Sequence, residues 1–451
     1  MLDKQEQSRR RGADRIPSTS DAEMLDRLQR VTFDYFLQEH DFENGLVADR
    51  NQPGSPASTA ATGLALTIYI AAVRHGVLSR GEAAARVLTI LRFFYSSSQG
   101  PEPDSTGYKG FYYHFLDMKT GRRAQNCELS TIDTAILMAG ILTVSAWFTN
   151  NTAREREIRQ LAETLYARVD WEWAQDGATT ISHGWKPESG FLPHRWDTGY
   201  SEALILYVLA AGAPRHPVAP AGYRQWAASF EVRKVYDLEY VYAGPLFIHQ
   251  LSQIWIDLRG VQEDLNRRLG FDYFENSRRA TYIHRQYGIE NPGHFKQYGE
   301  YLWGLTASEG PGPASIKVDG EQREFHGYLA RGAPFGPDDG TVSPWAVVAS
   351  MPFAPEIVID TVRHAIERLD LQGQSEYGLD ASFNPTFPSK GKNRYGWTSP
   401  WILGLNQGPV ALMIENFQSG FVWETMRACP HIAQGLRRLG FSGGWLEGSP
   451  L

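Results

Sequence analysis

Residues 58–96 read STAATGLALTIYIAAVRHGVLSRGEAAARVLTILRFFYS. Two helices of different kinds lie in this run. The first, Ser58 to His75, is apolar on most sides and stops at Gly76. A helix hydrophobic nearly all round has to be buried. The second opens on Ser79 with Glu82 three residues later, a capping box in which each side chain satisfies a backbone N–H at the helix start. It runs to about Ser96 with a charged face, so it belongs at a surface. The pairing recurs along the chain. Residues 130–148, 201–211 and 246–258 are apolar nearly all round, whereas 153–170 and 263–286 are amphipathic and charged. Alternating buried and surface helices describe an all-α double ring, an (α/α) toroid. Further helices are expected over 21–39, 292–303, 344–351, 355–369, 409–417 and 423–439. There is no βαβ alternation and no Gly-rich phosphate loop.

Long loops precede the apolar helices: 42–57, 100–129, 173–200, 231–245, 306–343 and 372–408. Loops of this length in a compact domain are usually functional. If all enter buried helices at their N-termini, they gather at one mouth. Short strand-like pieces, Phe111–Leu116 and Tyr328–Ala330, are expected there. Aromatic residues make up 12% of the 451-residue chain, and many sit in these irregular stretches beside Gly, Pro, Asp and His. Flat rings in such places suit sugar faces, because an aromatic plane supplies contact area at little entropic cost.

Composition excludes several classes. The net charge of −7 and the absence of a basic domain argue against nucleic-acid binding. They also disfavour a lyase acting on acidic sugars. Arg9, Arg10 and Arg11 fall in a polar stretch, 1–20, read as a disordered leader before a single catalytic domain over 21–445. Cys127 and Cys429 make neither a disulfide framework nor a CxxC site, and no His pair has zinc spacing, so no metal or cofactor is expected. No apolar stretch is long enough to span a bilayer, and none follows the arginines as a secretory signal would. As written the chain is expected to be cytoplasmic; a chain trimmed of its signal would read the same and be periplasmic or secreted. No oligomeric state can be read.

Acids collect where the loops meet the apolar helices. Glu128-Leu-Ser-Thr-Ile-Asp133 enters one helix; Ser130 with Asp133 reads either as a capping box or as a catalytic acid on a helix start, while Glu128 precedes the helix. Arg195-Trp-Asp-Thr-Gly-Tyr200-Ser-Glu202 enters another, and Glu202 is expected to open it. Its neighbours His194, Arg195, Trp196 and Tyr200, with Trp185 upstream, mix ring faces and hydrogen-bonding groups as a sugar site requires. Asp338 and Asp339 lie in the Gly/Pro-rich loop before Ser343-Pro344, read either as a turn or as site acids. Trp303, Glu309, Asp380 and Trp397 are further binding candidates. Glycosidic cleavage needs one carboxylic acid to protonate the leaving oxygen and a second carboxylate to activate water or attack the anomeric carbon. Acids converging from several helix starts could supply both.

The segments ELSTIDTAILMAG (128–140), DTGYSEALILYVLAAGAPRHP (197–217), WGLTASEGP (303–311), PFGPDDGTVSPWAVVASMPFAPE (334–356) and LGLNQGPVALMIENFQSGFVW (403–423) resemble the glycoamylase-like domain typified by glycoside hydrolase family 144, the endo-β-1,2-glucanases. The resemblance spans roughly residues 20–440. It implies an (α/α)6 barrel acting on β-1,2-glucan or its oligosaccharides, with Asp133 and Glu202 in the catalytic pocket. A transglycosylase, or a non-catalytic glycan-binding protein on the same scaffold, is the alternative.

Overall fold

The computed structural model describes residues 19–372, 376–388 and 393–448. These form two compact units. The larger holds Tyr35–Glu231, Ser252–Tyr273 and the chain from Ser419 onward; the smaller holds the chain up to Asp34, Val232–Leu251 and Phe274–Gln418. The secondary structure is mostly helical, with one five-stranded sheet and five two-stranded ones among the described residues. The proposed leader lies outside the described residues except for Thr19 and Ser20, which begin the Thr19–Gln38 helix.

In the larger unit, the Thr59–Arg74 and Thr131–Trp147 helices form the core. Both are capped as their sequences dictate: Ser58 Oγ accepts from Ala61 N–H, and Ser130 Oγ from Asp133 N–H. The helices touch backbone to backbone. A Cβ placed on Gly140 would lie 2.0 Å from the Gly63 carbonyl oxygen, and one on Gly63 would lie 2.6 Å from Leu137 Cα. Only glycine allows so close a crossing. The amphipathic Arg80–Ser96 and Ala153–Arg168 helices form as expected, the first with the full Ser79–Glu82 capping box.

The five-stranded sheet also belongs to this unit. Its antiparallel order is Gly107–Tyr108, Phe111–Tyr113, Leu129–Ser130, Gly184–Lys186 and Gly190–Phe191. The central strand, Leu129–Ser130, runs straight into the Thr131–Trp147 helix. The sheet therefore fixes two long loops, 100–129 and 173–200, around one helix start. A second pairing, Ala57–Ser58 with Phe115–Leu116, draws in the loop from residue 42.

Four expected helices differ. Residues 246–258 give two 3-10 turns, Leu246–His249 and Leu251–Ile254, instead of one helix. Side chains take the carbonyls that a helix would use: Ser277 Oγ donates to His249 O, and Trp423 Nε1 to Gln253 O. Residues 292–303 are not helical. Asn291 clips that segment by accepting from Phe295 N–H and donating to Phe295 O, while Asn291, His294 and Gln297 take positive φ. The 263–286 run breaks at Gly270, the left-handed C-cap of Asp264–Leu269, before Tyr273–Glu290. Pro430 lacks an amide hydrogen and so starts a new helix, splitting 423–439 into Phe421–Arg427 and Pro430–Arg438.

Replacing Gly63 or Gly140 by alanine forces the two core helices apart. Each change is expected to cost about 1–3 kcal/mol or more. Denaturant unfolding of the two variants would measure it, and midpoints equal to wild type would contradict the packing described.

Candidate active site

His114 sits between the short strands Phe111–Tyr113 and Phe115–Leu116, at the centre of a carboxylate cluster in the larger unit. Its Nδ1 lies 3.0 Å from Glu128 Oε1, and its Nε2 lies 3.9 Å from Asp133 Oδ1. Its ring stacks on Phe115 at 4.0 Å. Burial alone would favour the neutral imidazole. The fields of Asp133, Glu128 and Asp49 outweigh it and lift the His114 pKa to about 9. Burial acts against the Glu128 carboxylate too, but the His114 hydrogen bond and charge hold its pKa below the ordinary value. Asp49 is pushed up, mainly by burial, although Arg50 Nε donates to it at 3.0 Å.

Asp133 fulfils half of the expected capping box. Its N–H donates to Ser130 Oγ, but its carboxylate accepts from the Ser130 hydroxyl rather than from the Ser130 backbone. The carboxylate therefore stays on the side of His114.

Glu202 departs from expectation in position. The helix is Leu204–Gly212, with Ala203 as its N-cap, so Glu202 precedes the helix instead of opening it. Its carbonyl accepts from Ser252 Oγ at 2.9 Å, and that hydroxyl accepts from Ile205 N–H at 3.0 Å. Among the described residues Glu202 makes no ion pair. Burial, joined by the charge of Asp133, pushes its pKa up to about 7. A proton is thus held on Glu202 near neutrality mainly by burial, against a hydrogen bond from its own backbone N–H, with the charge of Asp133 adding to the shift.

The aromatic and basic candidates of this unit are mostly supports. Trp196 is buried, stacks on His183 at 3.8 Å, and donates from Nε1 to Thr131 Oγ1 at 3.0 Å. Arg195 is consumed by its own loop, donating to Thr180 Oγ1, Thr180 O and Gln175 O. Tyr200 is buried in parallel stacking with Tyr273. Trp185 is half-buried against Tyr108 and Trp173, and His194 is exposed.

In the smaller unit the neighbouring acids behave oppositely. Asp339 is buried and held by the wholly buried Arg331 through Nε–Oδ1 (2.6 Å) and Nη2–Oδ2 (2.7 Å). His326 N–H and Thr341 N–H complete its shell. Burial would raise this carboxyl, but the Arg331 pair outweighs it and holds the pKa down. Asp338 accepts instead from the Tyr298 and Tyr287 hydroxyls, at 2.9 and 3.1 Å, and burial lifts its pKa to about 6. Glu309 is half-buried near Ser399, whose hydroxyl lies 3.5 Å from Oε2. Trp397 is half-buried in a strand paired with Phe383–Asn384. Asp380 is buried, and so is Trp303, whose Nε1 donates to Thr361 Oγ1.

Sequence reasoning missed His114, Asp49, Arg331 and the tyrosines at Asp338. The one signal for His114 was a lone imidazole inside the otherwise aromatic strand FYYHFL.

Two variants separate the paired acids. Asp339→Asn leaves Arg331 buried without its carboxylate and is expected to cost about 3–5 kcal/mol of stability. Asp338→Asn keeps acceptor capacity for the tyrosines and is expected to unfold near the wild-type temperature; calorimetry reads both. For His114 the sign follows from a folded pKa above the unfolded value. Its contribution is complete below about pH 6.5 and is lost as pH rises through about 9. His114→Gln should therefore narrow its melting-temperature deficit relative to wild type across that window, and a constant deficit would count against a charged His114.

Residues 193–430, more than half of the chain, match the Glycoamylase family model, described as "Putative glucoamylase". The exo-β-1,2-glucooligosaccharide sophorohydrolase (non-reducing end) of Parabacteroides distasonis is 26% identical over 93% of this chain. The chain spans 58% of that relative's length. A crystal structure from Bacteroides uniformis, also described as a "putative glucoamylase", is 29% identical with a TM-score of 0.82, covering 96% of this chain and all of the other. The endo-β-1,2-glucanase of Chitinophaga pinensis, solved with sophorotriose and glucose, is 26% identical with a TM-score of 0.80, covering 95% of this chain and all of the other.

Proposed function

The chain belongs to the Glycoamylase family, and on that premise we propose that it is a glycoside hydrolase cleaving β-1,2-glucan or its oligosaccharides. One observation carries the chemistry: a half-buried Glu202 whose surroundings push its carboxyl pKa up to about 7, within the field of Asp133. Glu202 is the general acid that protonates the leaving glycosidic oxygen. Asp133 is the second carboxylate, oriented by the Ser130 hydroxyl and facing His114. It activates water or attacks the anomeric carbon. Glu128 and His114 keep that second group in place and balance its charge. Asp338 is a further proton-exchanging carboxyl, while Asp339 serves to fix its loop.

The Parabacteroides sophorohydrolase and the Chitinophaga endo-β-1,2-glucanase both act on β-1,2-linked glucose chains, which supports the linkage. The finer architecture we propose is an (α/α)6 barrel forming one catalytic domain over 21–445. Its support is the alternation of wholly apolar with amphipathic helices. The substrate is a neutral saccharide, bound without metal or cofactor.

Purified protein is expected to release new reducing ends from linear β-1,2-glucan. Glu202→Gln should lower kcat by about 10²- to 10⁴-fold while melting no lower than wild type, because the neutral amide removes a carboxyl that burial disfavours as an anion. The acid form is the active one, so the wild-type rate is held below about pH 7 and lost as pH rises through it. Full activity in Glu202→Gln, or glucan binding by wild type with no new reducing ends, would overturn the assignment.

A further inference from the structure

The smaller unit exposes a phenylalanine that its surroundings hold still. Phe335 is 58% exposed, on the loop that carries Asp338 three residues later. Exposure here does not come from slack in the chain. Gly332 N–H donates to Pro337 O at 3.1 Å, and Ala333 N–H donates to Gly244 O at 3.1 Å. The backbones are in contact: a Cβ on Gly332 would lie 2.4 Å from the Gly244 carbonyl carbon, and one on Gly336 would lie 2.8 Å from Gly332 O. Gly244 is anchored in turn, its carbonyl accepting from the buried His284 Nε2 at 3.0 Å.

The ring itself is clamped. The Arg233 guanidinium lies 4.8 Å from the Phe335 ring centroid and 4.4 Å from that of Tyr242, and the two rings meet edge to face at 5.7 Å. Cation–π and edge-to-face contacts of this kind fix a ring's orientation. A rigid apolar ring left in water gains nothing for folding. It is pre-organised to receive a flat apolar surface, because the entropy of ordering it has already been lost. The axial C–H face of a pyranose is such a surface, and the carboxyl of Asp338, held at a pKa of about 6 by burial, follows on the same loop.

We infer that Phe335, steadied by Arg233 and Tyr242, is a stacking platform that seats one glucose unit of the substrate at the Asp338 loop. It is a binding residue, not a catalytic one. This inference rests on the reading of the protein as a glucan hydrolase.

The test uses the full chain with linear β-1,2-glucan and with a short oligosaccharide series. Phe335→Ala is expected to raise KM on the polymer about three- to tenfold, with kcat within about twofold and an unchanged melting temperature. Phe335→Trp should restore KM, since any aromatic face can stack. Retardation of the Glu202→Gln protein in gels containing the glucan should fall when Phe335→Ala is added. If wild type cleaves the glucan and Phe335→Ala leaves both KM and retardation unchanged, the platform is overturned and the hydrolase reading stands. Failure of wild type to cleave sinks the hydrolase reading, and retardation that still depends on Phe335 would then leave the stacking site as a glycan-binding feature.

Discussion

One imidazolium serves three acids in the larger unit, and the proton balance of the cluster depends on that shortage. Taking a carboxylate out of water is costly unless a cation or hydrogen-bond donors meet it. His114 is shared among Glu128, Asp133 and Asp49, with Arg50 also drawn to Asp49. Among the described residues Glu202 makes no ion pair; a hydrogen bond from its own backbone N–H opposes burial only in part, and the negative charge of Asp133 raises its pKa further. The proton therefore remains on the acid left without a cation. Two glutamates of one unit, Glu128 and Glu202, thereby have their pKa values shifted in opposite directions without any difference in residue chemistry. The smaller unit repeats the logic. Arg331 neutralises Asp339 fully, and Asp338, left with two phenols and a backbone amide, keeps a raised pKa.

Backbone architecture delivers His114 to its acids. The imidazole is flanked by strands that pair on one side with Leu129–Ser130 and on the other with Ala57–Ser58. Both partners are also the strands that enter the two core helices. The Gly63–Gly140 crossing holds those helices at backbone contact, so it also sets the spacing of the strands at their N-termini. A core packing constraint is in this way coupled to the geometry of an ion-pair cluster.

What was legible in the sequence follows from this. Helix starts written in local chemistry, Ser79 with Glu82 and Ser130 with Asp133, were readable because capping involves residues three apart. The acid candidates were readable by type and by their place before apolar runs. His114 was not, because its significance arises only when residues 111–113 pair with 129–130, a tertiary event that leaves no periodic trace. The same holds for the loss of helix over 292–303. There the Asn291 side chain competes with the backbone for Phe295, and no propensity sum registers one clip. Asp338 and Asp339 look alike as sequence; only the buried Arg331, from elsewhere in the loop, tells them apart.

The helix boundary near Glu202 shows how a small structural correction becomes a chemical one. Had the helix opened at Ser201, Glu202 would lie in its first turn, where free N–H groups and the helix dipole stabilise an anion. That environment lowers a carboxyl pKa and suits a nucleophile or a base. The helix begins at Leu204 with Ala203 as a cap that offers no side-chain oxygen. Glu202 therefore stands outside the turn whose field falls off most steeply. Its carbonyl is held by Ser252, which fixes the backbone without placing a donor on the carboxyl. Burial then outweighs the hydrogen bond that its own backbone N–H supplies. Three residues of shift in a helix start separate a group suited to attack from one suited to donate a proton.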